Sequence, residues 1–371
     1  MNAFYVSYPK LSRPDLAQFL FGSSEDLKVK ARHYFLACSG GLDSMVLMDL
    51  FAAWARETIP TIGVTVVHVN YGLRGEESEG DAAFVVEQAK LRGMVCKVLV
   101  VEPGSQPVTG IQEWARELRY QWFSSLCAPQ DKVLLAHHED DHIETILMRV
   151  VRGSGLSGFE GMKSEDGKYW RPFLKMSRRS IEEFAQREKI LHREDGSNAK
   201  LDYSRNRIRK LILPELEGMF PGAGQNLKAL AQAGQEWSRF FGEQFANLTM
   251  PTSPDAWRKL GFYPASEWLL TRIRSENERW VKVVGRSWLE TVYRGLVEGL
   301  DTVVQLDPKY QVRLKHGRIE FERITTYSPA RWQQYAKELT RSGLSALLSE
   351  DSRLEVQHDA DGDEQVKKDI E

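Results

Sequence analysis

Ser39-Gly40-Gly41-Leu42-Asp43-Ser44 joins a short apolar run, Tyr34 to Cys38, to a second one at helical spacing, Met45 to Phe51. A glycine turn between a strand end and a helix start is where an α/β fold collects an anion. The two glycines let backbone N–H groups approach phosphate oxygens, Ser39 and Ser44 supply hydroxyls, and the positive end of the helix faces the charge. Ser44 is placed to cap that helix. A kinase-type phosphate loop carries lysine after its last glycine, whereas Leu42 and Asp43 follow here. The same six residues also read as a glycine turn with Asp43 in solvent.

A second cluster runs His137-His138-Glu139-Asp140-Asp141-His142-Ile143-Glu144-Thr145. Its side chains include metal-ligand types, and His138 and His142 have the spacing of one helical face. Asp141 and Glu144, three apart, share a face and make a compact anionic pocket suited to an ammonium group. Acids favoured at a helix start by its dipole give the same pattern. Arg116 and Arg119 make one basic edge at i, i+3. Tyr203 followed by Arg205, Arg207, Arg209 and Lys210 suits base stacking and phosphate contact, or a solvated helix start. Arg152 to Met162 is glycine-rich, fit for a helix stop or for close approach of a large ligand.

The elements that must carry these residues alternate. Tyr34–Cys38, Thr61–His68, Val95–Val101 and Val133–Ala136 read as strands; Ser78–Arg92, Ile111–Leu126 and Asp140–Val151 read as helices. Residues 1–33 form an amphipathic lead-in whose Leu16, Phe19 and Leu20 are expected to pack on the first domain. The alternation predicts an α/β fold, a parallel sheet with helices on both faces and ligands at the carboxyl ends of the strands. All three chemical clusters fall there: the glycine loop, the His68-to-Arg74 segment with His68 and Asn70 as nucleotide-binding candidates, and the His137 cluster. Residues 1–215 are read as this domain and 216–245 as a helical connector. Residues 246–348 are read as a smaller α+β domain, basic and tryptophan-rich, with a hairpin through His316-Gly317. Residues 349–371 are read as a disordered acidic tail.

Charge is unevenly spread. Glu350–Glu371 holds nine acids against three bases, while Lys163–Lys210 holds fourteen bases against eight acids. A basic stretch near an anion loop fits a polyanionic partner or a solvated face. No apolar run approaches the ~20 residues of a membrane span, and the first ten residues lack a leader pattern. Cys38, Cys96 and Cys127 are expected to be buried, reduced thiols. Together these place the chain in the cytoplasm, with no membrane partner.

Ser-Gly-Gly-x-Asp-Ser resembles the PP-loop of the ATP pyrophosphatases, which cut ATP between the α and β phosphates. Eight segments in order extend the resemblance to the tRNA(Ile)-lysidine synthetases: Ser39–Ser44; His68–Gly75 with Asp81; Ala115–Tyr120; His137–Thr145; Arg152–Met162; Arg171–Leu174; Glu194-Asp195 with Ser197-Asn198; and Arg205-Asn206 with Ile208-Arg209. The resemblance implies an adenine nucleotide alpha-hydrolase-like fold. It implies ATP and Mg²⁺ as substrate and ion, with free L-lysine and the CAU-anticodon isoleucine tRNA as partners. ATP adenylates the C2 oxygen of the wobble cytidine, and the amine of lysine then displaces AMP to give lysidine. In that comparison Ser39, Gly40, Gly41, Leu42, Asp43 and Ser44 hold ATP, and Asp43 supports Mg²⁺. Arg116 lies near the phosphates, Asp141 and Glu144 bind lysine, and Arg205 contacts the adenylate or the tRNA. His138 is the expected general base. Tyr71 stands where the family usually has a second histidine and so receives no acid–base role, and Gly196 replaces a bulkier residue.

Two other readings stay open on sequence: another PP-loop enzyme that thiolates tRNA or makes an amide, and a nucleotide- or RNA-binding protein without turnover. The oligomeric state is open too, a homodimer included.

Overall fold

The computed structural model describes residues 11–22, 31–102, 104–108, 110–152, 159–193, 204–246, 251–277, 280, 284–307 and 309–324. Glu194 to Asn198, Gly196 among them, and Tyr203 lie outside the described residues, as do the acidic tail and most of the glycine-rich 152–162 segment. The described residues form two compact units, one running to Gln235 and one from Glu236. The division falls inside the stretch expected to be a connector.

In the first unit the β-branched and apolar runs form β1 (His33–Ala37), β2 (Gly63–Asn70), β3 (Val95–Val100) and β4 (Lys132–Leu134). Two short strands, β5 (Glu165–Asp166) and β6 (Tyr169–Trp170), complete a sheet of order β3-β2-β1-β4-β6-β5, parallel except for β5. The sheet grows from β1 outward to β3, and the chain then returns to lay β4 against the free edge of β1. That reversal between β1 and β4 is the crevice where such sheets bind ligands. Leu36 pairs with Leu134 in register, so the two strand ends that open the crevice lie level.

The helices are α1 (Arg13–Phe21), α2 (Leu42–Thr58), α3 (Glu76–Leu91), α4 (Ile111–Leu126), α5 (Glu139–Val151) and α6 (Arg178–Glu188). Alternate residues of β1 explain how both sheet faces are covered. Tyr34 and Leu36 join the core made with α1, α2, α3 and α6, while Phe35 joins Val67, Phe123 and Val133 under α4. Leu16 is buried as expected, but Phe19 is half exposed on the far side of α1. Cys38 is buried, whereas Cys96, on the edge strand β3, and Cys127, at the C-terminal end of α4, are only partly so.

After α6 the chain forms α7 (Ser204–Arg207), a π-helical turn (Ile208–Ile212) and α8 (Leu213–Met219), then the long α9 (Ala223–Ala246). The Leu213 N–H bonds to the Ile208 carbonyl, five residues back. Pro214 has no N–H to offer the Lys210 carbonyl, which accounts for the wide turn just before it.

The second unit packs α10 (Pro254–Leu260), α11 (Phe262–Glu276) and α12 (Arg286–Glu298) with an antiparallel sheet β7-β8-β9 (Thr302–Gln305, Tyr310–Lys315, Arg318–Arg323). The expected hairpin is β8–β9; His316 and Gly317 both have positive φ, the I′ turn that suits a two-residue connection. Trp257, Trp268 and Trp280 are core. Trp257 donates its indole N–H to the Gly317 carbonyl at 2.6 Å, and Trp288 donates to Gln305 at 2.8 Å. The tryptophan content of this region therefore builds its core. Among the described residues no helix is long and apolar enough to cross a membrane.

Candidate active site

The glycine loop leaves the end of β1 and enters α2 at Leu42. Gly41 is the N-cap and provides no side-chain hydrogen bond. The first N–H groups of α2 therefore have no intrahelical acceptor and point out of the helix end, as an anion requires. Gly40 has φ +89°, and a Cβ there would sit 3.2 Å from Val85 Cγ2. Ser44 lies inside the helix instead of capping it. Its hydroxyl donates to the Gly41 carbonyl at 2.9 Å and accepts from the Ser39 N–H at 3.2 Å. Ser39 Oγ in turn accepts from the Gly41 N–H at 3.3 Å. Both hydroxyls brace the loop, so the anion-facing groups are the backbone N–H donors.

At the end of β2, His68 supports this loop and Asn70 braces the turn that follows. The buried His68 donates from Nδ1 to the Cys38 carbonyl at 2.8 Å, and burial lowers its pKa and keeps the ring neutral. Asn70 Oδ1 accepts from the Gly72 N–H at 2.9 Å, closing the turn that follows β2. The Tyr71 hydroxyl donates to the Ala115 carbonyl at 2.9 Å, tying β2 to α4. Its ring thus has a structural partner at the position where the resemblance expects histidine.

The acidic cluster follows β4. His138 is the N-cap of α5, its Nδ1 accepting from the Asp141 N–H at 3.4 Å while Asp141 Oδ2 accepts from the His138 N–H at 3.1 Å. This reciprocal box fixes both side chains. His138 Nε2 is 3.3 Å from Asp141 Oδ2 and 3.9 Å from Asp43 Oδ2. Nδ1 is engaged by the Asp141 N–H and Nε2 lies beside two carboxylates, so the ring is placed to orient Asp43 and Asp141, which departs from the general-base expectation.

Asp43 receives a second partner, Arg178 of α6, whose guanidinium donates to Oδ2 at 2.9 Å. Asp43 Oδ1 is buried with no hydrogen-bond partner. Burial pushes this carboxyl up, with His138 and Arg178 pulling the other way. Burial would raise Asp141 as well, but the charges of His138 and Arg205 hold it below the usual carboxylate range.

Asp141 and Glu144 do share a face. Glu144 has no exposed surface, and Arg205 and Arg209 cover it. Arg205 Nε donates to Glu144 Oε2 at 2.7 Å, and Arg209 Nε donates to Oε1 at 2.5 Å. Of the four bases expected to face phosphate, these two point inward, while Arg207 and Lys210 are exposed. Arg116 is exposed on α4, its guanidinium 4.7 Å above the Tyr120 ring. No hydrogen bond or ion pair among the described residues joins it to the glycine loop.

His142 does not face His138 across a metal position. Its Nδ1 accepts from the Met162 N–H at 3.0 Å, and burial lowers its pKa to about 4. Among the described residues no group of three or more His, Cys, Asp or Glu side chains is arranged to hold a metal ion. Gly161, at φ +63°, lies so close that a Cβ would be 2.4 Å from the His142 ring.

Arg178 and the inward role of Arg209 were not foreseen. Arg209 stands four residues after Arg205, the spacing of one helical face, and that signal was available. Nothing in sequence separates Arg178 from its neighbour Arg179; only the placement of α6 against α2 does.

The arrangement joins an anion cradle to a buried acidic pair through Asp43, His138 and Asp141. Residues 15–216 match the PP-loop domain family. The chain is 36% identical over 190 residues to a tRNA(Ile)-lysidine synthase of Chlorobaculum tepidum, covering 50% of this chain and 57% of that one. It is 32% identical over 229 residues to the tRNA(Ile)-lysidine synthase of Bacillus subtilis, covering 59% and 48%. It is 35% identical over 198 residues to that of Methylococcus capsulatus, covering 52% and 44%. A solved U34-tRNA thiolase, NcsA from Methanococcus maripaludis, aligns at 17% identity and a TM-score of 0.46, over 60% of this chain and 78% of that one. The chain spans about half the length of the curated relatives it matches. With more than half of its residues inside the match, this chain belongs to the PP-loop domain family.

Proposed function

We propose that the protein is a cytoplasmic tRNA(Ile)-lysidine synthetase. It adenylates the C2 oxygen of the wobble cytidine in the CAU-anticodon isoleucine tRNA and then joins free lysine to that carbon, releasing AMP and pyrophosphate. The observation that supports this reading is the chain of contacts from Asp43 through His138 to Asp141, which runs from the glycine loop to the acidic pair.

In the first step the C2 oxygen attacks the α-phosphorus and pyrophosphate departs. The N–H groups at the start of α2 receive the phosphate charge as it develops. Asp43 Oδ1, buried and unpartnered, suits a Mg²⁺ ion, which when bound would neutralise charge on the departing pyrophosphate. His68 and Asn70 act by fixing the loops around the nucleotide. In the second step the amine of lysine attacks C2 and AMP leaves. Asp141 and Glu144 bind lysine as a cation, and His138 orients Asp141 and Asp43. Arg205 meets the adenylate or the tRNA, Arg116 meets phosphate, and the unit from Glu236 onward grips the tRNA.

Labelled lysine supplied with ATP, Mg²⁺ and the CAU-anticodon tRNA tests this directly. Label entering the tRNA supports the synthetase. Pyrophosphate release without lysine transfer would point to another PP-loop reaction, and neither product would point to binding without turnover.

A further inference from the structure

The acidic pair assigned above to lysine is already filled by cations of the same chain. Arg205 donates to Glu144 Oε2 at 2.7 Å, to Asp141 Oδ1 at 3.2 Å and to the Asp141 carbonyl at 3.3 Å. Arg209 donates to Glu144 Oε1 at 2.5 Å, to Glu144 Oε2 at 3.1 Å and to Asp141 Oδ1 at 2.9 Å. Every carboxylate oxygen of this pair that does not face His138 is thus bonded to a guanidinium. An entering ammonium needs the same oxygens, because its three N–H donors must be satisfied once water is lost.

Charge gives the same answer. Asp43, Asp141 and Glu144 face Arg178, Arg205 and Arg209, with His138 beside the two aspartates, so the acidic charge is already met without a substrate. A further cation placed beside two guanidinium groups at low effective dielectric is repelled by both. The two arginines must leave before lysine can take their place.

The segment that carries them is made of two short turns of different pitch. Arg205 lies in a single α-helical turn and Arg209 in the π turn after it. A π turn that resolves to α passes one residue along, which rotates the segment before it by about 100° relative to the helix on its far side.

We propose that Arg205 and Arg209 plug the lysine seat of the free protein, and that the phosphates of the bound tRNA and its nucleotide draw them out and open it. This rests on the lysidine-forming reading of the site. The arginines then serve twice: withdrawn, they pair with phosphate, and their departure leaves two carboxylates that only a new cation can neutralise. Lysine is thereby admitted after the tRNA and kept from the ATP site before it.

Equilibrium dialysis of labelled L-lysine against the whole protein tests the plug. If the seat is open in no more than about a tenth of the free molecules, unplugging tightens apparent lysine binding by at least about tenfold. Arg209→Gln and the double variant Arg205→Gln/Arg209→Gln should each show that gain without tRNA. Adding the tRNA with a non-hydrolysable ATP analogue should tighten the parent protein but scarcely change the double variant. Lysine binding by the parent as tight as by the variants overturns the plug while leaving the lysine seat standing. Binding by no form overturns both. Should the variants fold poorly, hydrogen exchange on the parent decides: saturating lysine should speed exchange across 204–212, and unchanged or slower exchange overturns the proposal.

Discussion

Arg178 donates a 2.9 Å hydrogen bond to Asp43 Oδ2, while Asp43 Oδ1 is buried and bonded to nothing. The two residues are 135 positions apart and meet because α6 packs on α2. One carboxylate oxygen is thus oriented by a fixed cation and the other is left without a hydrogen-bond partner. Arg178→Ala should leave a buried carboxylate short of a charged partner, costing about 1.5–3 kcal/mol in the interactions it orients. Pyrophosphate release should fall by roughly 10- to 100-fold at subsaturating ATP. Arg178→Lys should recover part of the loss. Undiminished release in the alanine variant would show that Arg178 only braces α6.

Asp43→Ala should abolish pyrophosphate release altogether, with the chain still folded, because Asp43 is not part of the apolar core. Circular dichroism and the melting temperature check the fold, and a pyrophosphate assay checks the step. Release at the parental rate would remove Asp43 from the reaction.

Glu144→Gln leaves two guanidinium groups facing a neutral amide in a fully buried place. Removing one partner of such a cluster costs about 3–5 kcal/mol, a value to be discounted toward the lower end because Arg205 and Arg209 are each about 34% exposed. Urea unfolding measures this. Lysine transfer should also fall much further than adenylation. Equal loss in both steps would show that the acidic pair serves the nucleotide rather than lysine.

The sheet and the places of its three clusters were legible because each signal is local. β-branched runs mark strands, and in a parallel sheet the chemistry sits just beyond them. Asp141 and Glu144 could be set on one face by spacing alone. Other features depend on which elements pack together. Ser39 and Ser44 are hydroxyls in a phosphate loop by sequence, but their partners turn out to be the loop's own backbone. His138 looks like a base until Asp141 is seen to cap it in return. That Arg205 and Arg209 turn inward depends on their segment packing against α5, which no hydrophobic period announces.

Gly161→Ala should destabilise the first unit. The residue would be forced to keep φ +63° with its Cβ 2.4 Å from the His142 ring. Left-handed backbone alone costs a non-glycine residue about 1–3 kcal/mol, and displacing the ring adds the loss of its bond to Met162. A melting temperature equal to that of the parent would mean the 160–162 segment is free to shift.

The same histidine sets an acid limit on stability. Burial, with Lys228 and Arg149 nearby, holds His142 at about 4, and burial holds His137 at about 3, whereas unfolded histidine titrates near 6.5. Between those values the unfolded chain binds protons that the folded chain refuses, so stability is complete above pH 6.5 and falls as pH drops toward 4. Protonation of His142 at Nδ1 would also break its acceptance of the Met162 N–H. The urea midpoint should therefore decline from pH 7 to pH 4.5. In His142→Gln, which keeps an acceptor but cannot be protonated there, the parent's advantage at pH 7 should narrow as the pH falls. Parallel pH curves for the two proteins would mean that His142 titrates alike in the folded and unfolded chain, and that burial does not set this acid limit.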